Sequence, residues 1–213
     1  MSVLTKYALA AVAALLAPVA TAHATSMTFK GYGVAKPPGE TLSADFSFLP
    51  GTFTGDSSLV TGFSRGVYAA PAFGASSFDT GQYLAIEGGQ SETFTPSTPI
   101  RDLSVYIGSL DAYNSITVNY AQGGSFTYTG GDIASLSGAV DDGNQTSADS
   151  NGRLTIFFSS PVSSVTFGSG GNAFEIASVA TSGVPEPMAW SMMLVGIGAM
   201  GAVLRLRRAP TLE

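Results

Sequence analysis

Hydrophobic and polar positions alternate with a period of two through the middle of the chain. Leu103, Val105 and Ile107 alternate with polar or small neighbours, as do Ile116, Val118 and Tyr120, and then Leu154, Ile156 and Phe158. Val162, Val165 and Phe167 continue the pattern after a one-residue slip. Further strand-like runs occupy 27–32, 42–49, 83–86, 92–94, 125–128 and 174–179, and turn signals stand between them: Pro37-Pro38-Gly39, Gly88-Gly89, Gly123-Gly124, Gly130-Gly131 and Gly168 with Gly170-Gly171. About ten short strands at this spacing predict an all-β, antiparallel two-sheet sandwich, with a jelly-roll-like arrangement as the first choice. A short helix or turn at 132–136, capped by Asp132, is the one α candidate in this region. Residues 141–152 carry no apolar periodicity and read as a long polar loop.

The two ends of the chain follow a different pattern. Residues 1–24 open with Lys6, continue with an apolar run over 7–17 and close on Ala22-His23-Ala24, the small-x-small pattern that signal peptidase accepts. Such a run reaches only about 16 Å as a helix, short of the roughly 30 Å hydrocarbon core, so it reads as a signal peptide cleaved after Ala24. At the other end, residues 189–204 carry no charge and are followed by Arg205, Arg207 and Arg208. They reach about 24 Å as a helix, and Leu206 with snorkelling arginines extends the span, so 189–206 reads as a single transmembrane helix. The arginines would lie on the cytoplasmic side, with the domain between the two ends exported through the general secretory machinery.

Composition sharpens that picture. The sequence has no cysteine, and its one histidine, His23, departs with the signal peptide. The exported domain, residues 25–183, therefore lacks thiolate and imidazole chemistry: no disulfides, no Ser-His or Cys-His catalysis, and no histidine-ligated zinc, copper or iron. Five basic residues stand against thirteen acidic ones there, a net of −8, which disfavours nucleic acid and anionic lipid as partners. All 13 phenylalanines of the chain lie in this segment, ample material for a core held without disulfides.

Before the apolar C-terminal stretch stands Pro185-Glu186-Pro187, with Trp190 three residues beyond the second proline. With the glycine-bearing apolar helix and the terminal arginines, residues 184–213 resemble a PEP-CTERM sorting signal of the variant with this tryptophan. The resemblance implies recognition by an exosortase, a membrane transpeptidase-like enzyme that cuts near the Pro-Glu-Pro in bacteria making exopolysaccharide. The sequence departs from the usual pattern in carrying five further residues after Arg208. The prolines restrict the backbone ahead of the helix to extended geometry, which suits a protease cleft, and Glu186 between them is the natural recognition charge. Within the domain, the run from Tyr106-Ile107-Gly108-Ser109 through Leu110-Asp111-Ala112-Tyr113-Asn114, and later Gly170-Gly171-Asn172-Ala173-Phe174-Glu175, are similar to motifs of exosortase-sorted surface proteins. That likeness implies surface or matrix association and brings no catalytic residues with it.

Candidate chemistry in the domain is oxygen chemistry. Asp111 and Glu175 are the carboxylate pair nominated for glycoside hydrolysis, against an ordinary role capping loop N–H groups or pairing with Arg101 or Arg153. A structural calcium could draw on Asp111, Asn114 and Glu175, with Asp141, Asp142, Asn144 and Asp149 nearby in sequence; an EF-hand is excluded, because Phe158 falls where its bidentate Glu must be. Tyr68, Tyr83, Tyr113 and Tyr128 are candidates to stack on sugars, although the domain has no tryptophan. Thr52-Phe53-Thr54, Thr93-Phe94-Thr95 and Thr127-Tyr128-Thr129 each put two threonines on one strand face, but their irregular spacing along the chain argues against the regular array that ice binding requires. Taken together these features predict a non-enzymatic surface or matrix protein associated with exopolysaccharide. A calcium-assisted carbohydrate-binding module is the alternative, ahead of a glycoside hydrolase or an ice-binding protein.

Overall fold

The computed structural model describes residues 24–31, 51–72 and 81–181. The strand expected at 42–49, the apolar N-terminal run and the segment 184–213 with its expected helix lie outside the described residues. No helix among the described residues is long and apolar enough to cross a membrane.

The described chain is antiparallel β-structure with one helix. Its elements are β1 (Ala24–Gly31), β2 (Gly51–Gly55), β3 (Ser58–Thr61), β4 (Phe63–Ser64), β5 (Tyr68–Ala69), β6 (Gln82–Ile86), β7 (Ser91–Pro96), β8 (Ile100–Gly108), β9 (Asn114–Tyr120), β10 (Ser125–Thr129), α1 (Gly130–Ser137), β11 (Gly152–Ser169) and β12 (Phe174–Ala180). Ten of the strands form one continuous sheet, and β4 pairs with β5 separately. Sequence periodicity divides 154–158 from 162–167, whereas the structure joins them in the single 18-residue strand β11.

β11 is the hinge of the sheet. Its first half lies between β1 and β8, and β12, β6 and β3 follow β8 outward. Its second half lies between β7 and β9, with β2 beyond β7 and β10 beyond β9. Pro161 falls at the changeover, where neither neighbour draws a ladder hydrogen bond from its missing N–H, and its carbonyl accepts from the Ala121 N–H at 2.9 Å. The slip in the apolar pattern is an irregularity in the pairing with β9 between Val162 and Ser164, where the Ser163 hydroxyl donates to the Asn119 carbonyl at 3.0 Å. Residues from both halves bury a single core, so the sheet curls over itself.

The second half-sheet is two-faced. Phe53, Phe94, Val165, Val118 and Phe126 stand in register across five strands on the inner face. One residue along, Thr54, Thr93, Thr166, Thr117 and Thr127 form the matching row on the outer face. One threonine from each of the pairs that are irregular along the chain, Thr54, Thr93 and Thr127, is thus aligned by strand register. Hydroxyls within the row serve one another: Thr93 with Thr166 and Thr117 with Thr127, both at 2.8 Å. Cross-strand pairs of this kind contribute about 0.2–1 kcal/mol each, and β-branched residues favour strands, so sheet pairing accounts for the row.

The other half is three layers deep. β6, β12 and the last four residues of β8 are buried on both faces, the inner face by the main core and the outer face by a smaller cluster of Ala70, Tyr83, Ala85, Tyr106 and Ala177, with Val60 and Tyr68 packed against it. The excursion over 58–72 supplies this cover, tied down by the Tyr83 hydroxyl on the Gly62 carbonyl and the Tyr106 hydroxyl on the Ala72 carbonyl, each at 2.6 Å.

The helix runs Gly130–Ser137 and is capped by Thr129, not by Asp132. Asp132 is the N3 residue of a capping box: its carboxylate accepts from the Thr129 N–H at 2.9 Å while its own N–H donates to the Thr129 hydroxyl at 3.2 Å. Counting from the first acidic residue moved the expected start inward by one turn.

Candidate functional site

A polar cleft opens where β8 ends and β9 and β12 begin, and each wall has a local cause. After β8 the chain turns through Ser109, Leu110 and Asp111. The Leu110 N–H donates to the Ser150 carbonyl and the Gly143 N–H to the Leu110 carbonyl, both at 2.9 Å, so the polar loop is stitched to this turn. A single antiparallel bridge between Asp111 and Asp142 completes the seam. Gly143 has φ +66°, a conformation that favours glycine, and a Cβ there would collide with the Asp111 carboxylate. Gly130 is close-packed in the same way, its missing side chain leaving room for the Asp111 carbonyl.

Asp111 and Glu175, the pair nominated from the sequence, both border this cleft. They share it with Gly66, Val67 and Tyr68 from the covering excursion, Ser109 and Tyr113 from the β8–β9 turn, Asp142 and Gln145 from the polar loop, and Asn172 and Ala173. Glu175 lies between Phe174 and Ile176, which face the main core, so its own side chain points into the covered outer face. It is only 1% exposed. One carboxylate oxygen accepts from the Ala69 N–H at 3.0 Å and the other from the Ser109 hydroxyl at 2.7 Å. Burial outweighs those two donors and pushes its pKa up to about 8, with the charge of Asp111 adding to the rise.

Asp111 is less enclosed. Burial comes first among the influences that raise its pKa, opposed by a hydrogen bond from Tyr113 and reinforced by the charges of Asp142 and Asp141. The Tyr113 hydroxyl donates to the Asn172 carbonyl at 2.8 Å and also reaches Asp111. Burial, followed by that carboxylate, raises the phenol's pKa. Asp142 behaves in the opposite way: its exposed carboxylate is held low by hydrogen bonds from the Ser150 hydroxyl at 2.6 Å and the Asn144 N–H at 3.0 Å.

Ser109 has φ +34°, the one non-glycine residue of positive φ among the described residues. Its N–H donates to the Asn151 side-chain carbonyl at 2.9 Å while its hydroxyl holds Glu175, so the strained turn is fixed at both ends. Asn151 is fully engaged, its amide donating to the carbonyls of Asn144 at 2.7 Å and Ser147 at 2.9 Å.

Asn114 does not join the cleft. Its side-chain carbonyl accepts from the Asp111 N–H at 2.7 Å and its amide donates to the Ser169 hydroxyl at 3.1 Å, so it shapes the turn behind the site. Among the sugar-stacking candidates, Tyr83 and Tyr128 are core residues, Tyr68 lines the cleft half-buried, and Tyr113 is 42% exposed at its mouth. Of the loop ligands considered for calcium, Asp142 and Asn144 are engaged in local turns, the Asn144 side-chain carbonyl accepting from the N–H groups of Thr146 and Ser147 at 3.0 and 3.2 Å. Among the described residues, no group of three or more acidic side chains is placed to hold a metal ion. Arg153, considered as an ion-pair partner, donates to the Ser104 and Ser178 hydroxyls at 3.2 Å and lies over the Tyr106 ring. Arg101 donates to the Ser159 carbonyl at 2.9 Å.

The sequence matches no family model and no curated protein. Among solved structures, a galactose-bound exo-β-1,3-galactanase from Phanerochaete chrysosporium is similar at 18% identity and a TM-score of 0.34, over 62% of this chain. The match spans 27% of that enzyme's chain.

Gly66, Val67, Gly143 and Gln145 are cleft residues that sequence reasoning did not single out, and Ser109 appeared there only inside a motif. Gln145 sits in a run with no periodicity, and only the Asx turn at Asn144 hints that the loop folds back. Ser109 precedes a nominated acid, but its conformation is set by partners some forty and sixty-six residues away.

Proposed function

We propose that this chain is an exported, non-enzymatic surface or matrix protein, sorted by an exosortase and associated with exopolysaccharide. The order Pro185-Glu186-Pro187, Trp190, apolar stretch and Arg205, Arg207 and Arg208 carries this reading. Signal peptidase and the secretory machinery act at the N-terminus; the C-terminal helix holds the protein in the inner membrane until it is processed and moved to the cell surface or matrix. Cleavage after Ala24 is compatible with β1, whose regular register with β11 runs from Ser26 to Gly31. A jelly-roll-like sandwich is the finer fold that we assign to the curled sheet. Mass spectrometry of protein recovered from envelope and medium tests the reading: it expects a new N-terminus at Thr25 and a C-terminus near Glu186. Recovery of the intact 213-residue chain from cytosol overturns it.

The cleft favours a second reading, a carbohydrate-binding module, with glycoside hydrolysis behind it. A neutral, buried Glu175 beside an acid of different environment is the pattern that separates acid from base in sugar chemistry. Turnover of the host polysaccharide that disappears in Asp111→Asn and Glu175→Gln would establish hydrolysis; turnover that survives both removes this pair. Calcium assistance is tested by binding with and without chelator.

A further inference from the structure

The cleft has room, hydroxyl-matching groups and an unbalanced charge. Its volume is about 130 Å³, close to the roughly 150 Å³ that accommodates one benzene ring, so it takes one ring-sized group and not a length of polymer. Asp111, Asp142 and Glu175 border it, and among the described residues no lysine or arginine lines it. Two of the three are well served by protein donors: Glu175 by Ala69 and Ser109, Asp142 by Ser150 and Asn144. Asp111 shares the Tyr113 proton with the Asn172 carbonyl, and the neighbouring charges of Asp141 and Asp142 act against its ionisation. A cation beside it would offset both that repulsion and part of its burial. The rest of the lining suits a polyhydroxylated ring: the Gln145 amide offers a donor and an acceptor, and the exposed Tyr113 ring offers a face.

We propose that the cleft is a subsite for a protonated hexosamine residue, its ammonium group at Asp111 and Asp142 and its ring against Tyr113. This rests on the carbohydrate-binding reading and adds a charge preference: amino sugars are taken and uronic acids are turned away. An anionic sugar would have to enter against two or three carboxyl groups, with no cation among the described lining residues to receive it.

The test uses the full chain in non-ionic detergent, titrated calorimetrically with tetramers of glucosamine, N-acetylglucosamine and galacturonic acid at a pH where the free amine is protonated. The glucosamine tetramer should bind at least about tenfold more tightly than its acetylated counterpart, the scale of one charge-assisted hydrogen bond. That margin should shrink as salt rises from about 0.05 to about 0.3 M, and should vanish in Asp111→Asn. The comparison of ligands on the unaltered protein stands even if the variant misfolds. Equal binding of the free and acetylated tetramers, or any preference for the uronic tetramer, overturns the proposal while leaving a saccharide site in place. Absence of binding by all three overturns the proposal and the carbohydrate-binding reading together, and leaves the sorting assignment to its own test.

Discussion

The threonine-faced half-sheet and the acidic cleft solve opposite problems with the same backbone. In the half-sheet, each strand puts apolar side chains inward and hydroxyls outward, and the two threonine pairs at its centre satisfy one another. In the cleft, a glutamate is carried by a strand buried on both faces, a serine is held at positive φ, and a glycine admits a carboxylate where no side chain would fit. The first arrangement is locally satisfied and shows its logic in two-residue steps. The second concentrates desolvated charge and strain at the junction of four segments, which is where a binding surface can be kept in place by a rigid sheet. The difference teaches that the stable part of this fold and its chemically capable part are built from different ranges of contact.

Substitutions can break or sharpen that contrast. The largest effect belongs to the inner row of the half-sheet: Phe94→Ala, at a fully buried position in ring contact with Phe53, should cost about 3–5 kcal/mol by chemical denaturation. A loss below 1 kcal/mol would mean that the five-residue inner row is not the core it is described as here.

Next comes the buried acid of the cleft. The folded state raises the Glu175 pKa from 4.5 to about 8, so the fold binds its proton more tightly than the unfolded chain does. The contribution is fully present below the unfolded value and is lost as pH rises through about 8. Stability should therefore decline by on the order of a few kcal/mol between mildly acidic and mildly alkaline solution. Glu175→Gln, whose amide can keep both hydrogen-bond partners, should flatten that decline and leave the variant more stable than the parent at alkaline pH. A variant whose pH profile matches the parent's would locate the titration elsewhere.

Gly143→Ala sharpens the contrast at smaller scale. The αL conformation alone costs a non-glycine residue about 1–2 kcal/mol, and the collision with Asp111 adds to it. Hydrogen exchange should show the loss concentrated in residues 139–151, with the half-sheet unmoved. Removing the helix cap by Thr129→Ala should cost about 1 kcal/mol, read as a lower denaturation midpoint. Last is Thr166→Ala in the outer row, which takes away the Thr93 partner and should cost only about 0.2–1 kcal/mol. An effect as large as that of Phe94→Ala would overturn the view that the outer row serves pairing alone.

Much of the half-sheet was legible because its cause is short-ranged. Ile116, Val118 and Tyr120 announce β9 by alternation, and the slip at Val162 reappears as an irregularity in the pairing. β2 showed only as the threonine pair around Phe53, and β3 escaped because Ser58-Leu59-Val60-Thr61 carries too few apolar residues to show a period. The helix cap was misplaced because Thr129 also ends β10, and an acidic residue three positions on looked like the start. In the cleft, Asp111 and Glu175 could be nominated as acids beside aromatics at strand ends. Nothing in their neighbours told that Glu175 would be sealed under residues 69–72, nor that Asn114 would be spent holding the Asp111 turn.

The sequence by itself determined that the domain is β-rich, which residues face much of its core, and that residues 25–183 contain neither cysteine nor histidine. Those properties depend on residue identity and two-residue spacing, which any reader of the chain can count. Tertiary structure decided that irregularly spaced threonines fall into one row and that one long strand serves both halves of the sheet. It also decided that three carboxyl groups, from positions 111, 142 and 175, converge on one cleft. Register and cover are set by pairings between residues far apart in the chain, and the free energy of burying a charge depends on what those distant residues place around it.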